Sequence, residues 1–79
     1  MKIYNNQYAQ KIHAIMLPLV GDFMASGVLK TQTKNIGIDE ESIKPENLTA
    51  LSEAIKKGLS LFLGSEKAEK IAAQIRLLK

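Results

Sequence analysis

The sequence predicts a small, all-helical, single domain that spans residues 1–79. Apolar residues recur at spacings of three and four along most of the chain, which is the period of a helical face. No stretch alternates polar and apolar residues over the length of a strand. Aromatic residues make up only 5% of the chain, so the core must be built from aliphatic side chains, which suits helices better than sheets. We therefore expect a compact antiparallel bundle of about four helices plus one short helical turn.

The first predicted helix begins at Asn5 or Asn6, since either side chain can cap a helix, and it reaches Leu17. Its apolar face comprises Tyr8, Ile12, Ile15, Met16 and Leu19. Pro18 then lacks the backbone donor that a helix interior needs. Two interpretations remain open: a second helix starts with Pro18 in its first turn, or one long helix kinks there.

The second predicted helix runs from Pro18 to Asn35. One of its faces carries Val20, Phe23, Gly27 and Thr31, with Leu19, Met24 and Val28 beside them. Gly37 stands where a left-handed residue closes a helix, and Ile36 and Ile38 flank it as hydrophobic contacts.

The next segment, 39–43, predicts a single helical turn, because its acidic residues complement the positive end of a helix dipole. Pro45 restricts Lys44 to an extended conformation and suits the first turn of a third helix. The core stripe of this third helix comprises Leu48, Leu51, Ile55, Leu59 and Phe62. Gly64 ends the helix and Ser65 is expected to cap a fourth, whose core face comprises Ala68, Ile71, Ala72, Ile75 and Leu78.

Composition excludes several classes of function. The chain has no cysteine, which removes disulfides and thiolate metal sites. Its net charge of +3 comes from dispersed lysines and a single arginine, which disfavours nucleic acid as a partner. The longest unbroken apolar run, 14–20, is much shorter than the roughly 20 residues of a membrane span, and polar residues precede it. We expect no membrane partner and a cytoplasmic location.

The chain also lacks a recognisable catalytic or metal-binding pattern. His13 is the only histidine, and Asp22, nine residues later, would lie on the opposite side of a continuous helix. An active site would need His13 of one chain to meet Asp22 or the acidic residues 39–41 of another chain. Those acidic residues do not have the spacing of a calcium loop, and the serines lack a nucleophile motif. We expect no enzymatic activity, no metal and no cofactor.

The segment 63–71 resembles the second half of the helix-hairpin-helix motif of DNA-binding proteins. The resemblance implies that backbone amides at a helix start hold a phosphate, with contacts from Gly64, Ser65, Lys67 and Lys70. The motif's first glycine would fall on Phe62, and a glutamate follows Ser65. The competing interpretation is an ordinary hairpin in which Gly64 and Ser65 are helix caps. Weak, non-specific nucleic-acid binding is therefore the alternative function.

Surplus apolar residues carry the leading hypothesis. Several lie outside the core stripes, on the second helix and on the final hairpin: Met24, Val28, Leu29, Leu61, Leu63 and Leu77. Contiguous apolar groups left exposed usually mark an interface. The alternative is that the bundle buries them internally. We expect a protein-protein interaction or dimerisation module whose partner is a second copy or another protein.

Overall fold

Three α-helices dominate the computed structural model, which describes residues 3–78: α1 (Gln7–Asn35), α2 (Leu48–Leu63) and α3 (Ser65–Arg76). The structure is 79% helical, with no strand among residues 3–78, so the predicted all-α class is confirmed. The predicted number of four helices is wrong, because the first two predicted helices form the single element α1.

The direction of α1 changes at Gly21 and not at Pro18, which lies within the helix. Gly21 has φ 83° and ψ 167°, a backbone conformation open almost only to glycine. A straight helix of 29 residues would be about 43 Å long. The largest extent of the whole molecule is 29 Å, so α1 must bend. The bend divides it into two segments, 7–20 and 22–35.

The start of α1 is fixed by Asn6. Its side-chain oxygen accepts hydrogen bonds from the backbone N–H groups of Tyr8 and Ala9, which confirms the predicted cap. The Glu41 carboxylate accepts the backbone N–H of Asn6 at 2.8 Å and that of Asn5 at 3.1 Å. The loop after α1 is thereby tied to the start of the same helix.

The end of α1 has the predicted glycine closure. Gly37 has φ 84°, its N–H donates to the carbonyl of Lys34, and the N–H of Ile38 donates to that of Thr33. These two hydrogen bonds define a Schellman motif. The segment 39–43 does not form the predicted helical turn; it contains a tight turn closed by the Ser42 N–H on the Asp39 carbonyl. A 3-10 turn, Pro45–Asn47, precedes α2 instead.

The core draws on all three helices. Its largest fully buried apolar side chains are Ile12, Met16, Leu29, Leu48, Leu51, Ile55, Leu59, Ile71 and Ile75. The stripes predicted for α2 and α3 are confirmed apart from two residues: Phe62 is 64% exposed, and Leu78 lies beyond the end of α3 and is only half-buried. The radius of gyration is 10.9 Å, against about 12 Å expected for a folded chain of this length.

The second segment of α1 turns a different face to the core than its apolar pattern indicated. Its buried residues are Ala25, Leu29 and Thr33, one helical turn apart from each other. Phe23 lies about 160° around the helix from Ala25 and is 94% exposed. Buried Thr33 satisfies its hydroxyl within the helix by donating to the Leu29 carbonyl at 2.8 Å. The face that carries Phe23 is therefore free of the core.

By length and composition, α1 qualifies as a helix that could cross a membrane, and no other helix within residues 3–78 does so. Only 28% of its most apolar stretch is buried. The core helix of a soluble protein meets the same criterion, so the expected absence of a membrane partner stays a prediction. The low burial means that α1 keeps apolar surface outside the core.

Candidate functional site: an apolar groove between α1 and α2

An open apolar groove lies between the second segment of α1 and the C-terminal half of α2. Its volume is about 380 Å³, and its lining consists of Phe23, Met24, Gly27, Val28, Thr31 and Gln32 from α1 with Gly58 and Phe62 from α2. We call it the Phe23/Phe62 groove. None of these side chains is ionisable.

Two aromatic rings line the Phe23/Phe62 groove and face solvent. Phe23 is 94% exposed and Phe62 is 64% exposed, although the whole chain has only two phenylalanines. A single exposed apolar residue is normal on a protein surface, whereas apolar residues exposed together are unusual. Both phenylalanines of the chain therefore contribute to one solvent-facing apolar surface.

Two glycines line the groove, and they differ in what surrounds them. A Cβ atom placed on Gly58 would lie 2.8 Å from Gln32 Nε2, so the missing side chain of Gly58 makes room for the Gln32 amide. A Cβ atom placed on Gly27 would meet nothing within 4 Å. Packing inside the described part of the chain explains Gly58 and leaves Gly27 unexplained.

A buried histidine in the first segment of α1 contacts an aspartate in the second segment. His13 Nε2 is 3.0 Å from Asp22 Oδ1, and the two side chains are 9% and 39% exposed. The expectation that these residues are too far apart is wrong, because Gly21 ends the continuous helix on which it depended. The Tyr4 ring packs against the imidazole with centroids 5.6 Å apart.

The His13–Asp22 pair fits a structural role. A carboxylate bonded to an imidazole can orient it for proton transfer, but a general base must also reach a substrate. His13 is almost fully buried, and its bond to Asp22 joins the two segments of α1. Within residues 3–78, no group of three or more metal-ligating side chains of His, Cys, Asp or Glu occurs.

The hairpin between α2 and α3 turns at Gly64, whose φ of 86° and ψ of 157° nearly repeat those of Gly21. Gly64 itself occupies the N-cap position of α3, so Ser65, predicted as the cap, is the first helical residue. Lys67 and Lys70 are exposed, and Glu66 lies in the first turn of α3. A carboxylate therefore accompanies the lysines at the proposed phosphate site.

Ion pairs join α2 to α3 on the surface. Lys56 Nζ is 2.6 Å from Glu69 Oε2, and Arg76 donates to Glu69 Oε1 at 2.9 Å. Arg76 also lies 3.4 Å from a carboxylate oxygen of Glu53. The hydrogen bond from Lys56 holds the pKa of Glu69 below its ordinary value, and the same bond raises the pKa of Lys56.

Comparison with known protein families, curated proteins and solved structures finds no match to this chain. The proposal for its function therefore depends on its own surface and chemistry.

The contact residues predicted on α1 divide between the groove and the core. Met24 and Val28 are half-buried and line the Phe23/Phe62 groove. Leu29 is fully buried in the core, so its inclusion among the surface contacts is corrected. The bend at Gly21 turns Leu29 inward together with Ala25.

The contact residues predicted on the hairpin lie outside the groove lining. Leu61 is 89% exposed and Leu77 is 82% exposed. Leu63 is half-buried and packs against the core. The structure does not bring these three residues together with Met24 and Val28 in the groove.

Phe23 and Phe62 are surface residues that the helical pattern did not reveal. Phe62 has the same helical phase as the buried residues of α2, but it lies one residue from the end of that helix. Helical phase fixes the direction in which a side chain points around the helix. Burial also requires a neighbouring element that extends to the same position along the helix axis. For Phe23, the sequence contains one usable signal. Gly21, two residues earlier, is a residue at which a helix can change direction and so turn a different face to the core.

Proposed function

We propose that this chain is a self-association module without catalytic activity, in which two copies join through their Phe23/Phe62 grooves. The observation that carries the proposal is the Phe23 ring, which is 94% exposed at the edge of an uncharged apolar groove. Met24 and Val28, two of the contact residues that the sequence predicts, line the same groove.

A macromolecular partner fits this surface better than a small ligand. The groove volume of about 380 Å³ is near the lower end of the range for small-molecule sites, which is about 300–1,000 Å³. Such sites bury most of their ligand, whereas this groove is open. A ligand inside it would leave the outer faces of Phe23 and Phe62 in water. Only a second surface can cover both rings.

The charge distribution limits where a second copy could bind. Each copy carries a net charge of +3, so most pairs of identical surfaces would repel each other. The groove lining has no ionisable side chain, so two grooves can meet without placing like charges in contact. Two-fold symmetry requires a surface that complements itself. This surface has projecting rings and a hollow side by side.

The expected affinity is moderate. The two rings contribute about 300 Å² per copy, within an interface that needs about 800 Å² from each partner. Burying the four phenylalanines of a dimer stabilises it by about 6–12 kcal/mol. The loss of translational and rotational freedom costs at least about 4 kcal/mol, so the net gain is at most about 8 kcal/mol, which corresponds to a dissociation constant of about 1 μM or weaker.

Sedimentation velocity over low to high micromolar concentration tests the proposal. We expect the natural chain to shift from monomer to dimer and Phe23→Ser to remain monomeric. Ile3→Ser is the matched control, because Ile3 is 85% exposed and does not line the groove, and it should dimerise like the natural chain. A natural chain that stays monomeric throughout this range contradicts the proposal.

Two further measurements separate self-association from other uses of the chain. Co-sedimentation with anionic lipid vesicles tests α1 as a membrane-binding helix, and the proposal predicts that the chain stays in the supernatant. Titration of duplex DNA at two salt concentrations tests the Gly64 hairpin, because phosphate binding must weaken as salt rises. Salt-sensitive DNA binding that disappears in a Lys67→Ala/Lys70→Ala variant would favour the nucleic-acid alternative.

A further inference from the structure

We infer that Gly27 is the point of closest contact between the two copies, where the Phe23 ring of one copy packs against the Gly27 backbone of the other. The inference rests on the proposed self-association, and it specifies which residues meet across the two-fold axis. Each copy supplies one ring and one glycine, so the contact occurs twice.

Gly27 occupies a position in α1 that the fold of one copy does not explain. Glycine within a helix destabilises it relative to alanine. Gly58 makes room for Gln32, and three further glycines have positive φ values that suit glycine: Gly21, Gly37 and Gly64. Of the five glycines, only Gly27 has neither a positive φ nor an atom within 4 Å of the place that a Cβ would take. Its missing side chain has no function inside one copy.

The spacing between Phe23 and Gly27 suits a reciprocal contact. They are four residues apart in the same helical segment, so they lie on one face, roughly one turn of about 5.4 Å from each other. A two-fold axis that passes between them places the Phe23 ring of each copy over Gly27 of the other. The bare backbone of Gly27 then provides a flat surface for the ring, and any side chain there would hold the ring away.

Both groups are accessible to a second copy. Phe23 is 94% exposed, so its ring is available without rearrangement, and Gly27 is exposed in the groove. The neighbouring lining residues Met24 and Val28 are apolar and would enclose the edges of the ring. None of the side chains that line the groove is charged.

Gly27→Ala tests the inference because its two expected effects have opposite signs. At concentrations where the chain is monomeric, the variant should unfold at higher denaturant concentration, since alanine favours the helix and meets nothing nearby. In sedimentation equilibrium, its dimer should dissociate at least tenfold more readily. The matched control is Ala14→Leu, which adds bulk to an exposed residue of α1 outside the groove and should leave dimerisation unchanged.

The outcomes of these experiments separate the inference from the proposed function. If the natural chain is monomeric, the proposed function fails. If the natural chain dimerises, Phe23→Ser does not, and Gly27→Ala retains the natural affinity, only the inference is overturned. A Gly27→Ala monomer less stable than the natural one also overturns it, because Gly27 would then have a role within one copy.

Photo-crosslinking gives an independent readout. A benzophenone derivative of phenylalanine at position 23 is introduced into unlabelled chain and mixed with ¹⁵N-labelled natural chain. Mass spectrometry of the crosslinked peptides should connect position 23 to the labelled segment around Gly27. Attachment confined to other segments of the labelled copy overturns the inference.

Discussion

The backbone conformation of Gly21 decides which side chains of α1 meet. With φ 83° and ψ 167°, this residue interrupts the helix between His13 and Asp22 and allows a hydrogen bond of 3.0 Å between them. It also turns Leu29 into the core and leaves Phe23 in solvent. One residue thus determines both the internal polar contact of α1 and its exposed aromatic ring.

Replacing Gly21 with alanine should destabilise the fold. A side chain at this φ and ψ costs about 1–3 kcal/mol, and the substitution also disturbs the contact between His13 and Asp22. Urea unfolding of monomeric protein measures the effect. Gly27→Ala is the control for glycine replacement in the same helix, because its conformation is helical and it should stabilise by about 0.5–1 kcal/mol. Equal effects at the two positions would contradict this account.

Removing the Asp22 carboxylate should leave a buried ring nitrogen of His13 without its partner. We expect Asp22→Ala to lower the free energy of unfolding by about 1–3 kcal/mol. Asp22→Asn keeps an acceptor oxygen and should lose less. Glu46→Ala removes an exposed carboxylate from the 3-10 turn and provides the control in the same urea experiment. If Asp22→Ala is as stable as the natural chain, the contact between His13 and Asp22 is energetically unimportant.

At the scale of elements, α2 and α3 are joined by buried aliphatic residues inside and by the Glu69 ion pairs outside. Lys56 and Arg76 both contact the Glu69 carboxylate, one from each helix. The side chains of all three are about one third exposed or more, so solvent and salt weaken these attractions. The burial of the α2 and α3 stripes remains the main link between the helices.

Acid should remove the contribution of Glu69. Its pKa is lowered in the fold, chiefly by the hydrogen bond from Lys56, so its contribution is present above the ordinary pKa of 4.5 and is lost as the pH falls through the folded value. The stability difference between the natural chain and Glu69→Gln should therefore shrink below about pH 4.5. Urea unfolding across that range measures it, and a difference that persists at lower pH contradicts the prediction.

High pH should remove the contribution of Lys56, the ion-pair partner of Glu69. The pKa of Lys56 is raised above 10.5, first by its hydrogen bond to Glu69, so its contribution is fully present below pH 10.5 and is lost as the pH rises through the folded value. The natural chain should lose its stability advantage over Lys56→Gln only above that pH. High salt should reduce the advantage at neutral pH, because the pair is partly exposed. If Lys56→Gln is as stable as the natural chain at neutral pH and low salt, the prediction for Lys56 is wrong.

At the scale of the whole molecule, the proposed dimer links stability to concentration. A partner that binds only the folded state raises the unfolding temperature as its concentration increases. We expect the unfolding temperature of the natural chain to rise between low and high micromolar concentration, whereas that of Phe62→Ser should not change. Differential scanning calorimetry measures both. A natural chain whose unfolding temperature is independent of concentration would contradict the proposed association.

Local chemistry allowed much of this fold to be predicted from the sequence. The cap at Asn6, the closure at Gly37 and the stripes from Leu48 to Leu59 and from Ala68 to Ile75 all follow from properties of short segments. Capping needs a side chain with an acceptor, and a stripe needs only the helical period. The candidate site was predictable only in part, through Met24 and Val28.

The sequence by itself therefore determined the helical class, most of the helix ends and the core faces of α2 and α3, because each depends on residues that are neighbours along the chain. Only the tertiary structure decided the bend at Gly21, the contact between His13 and Asp22 and the exposure of Phe23 and Phe62. Helical phase fixes how a side chain points relative to its own helix. Whether another element covers it depends on the path of the backbone, and here one glycine redirects that path.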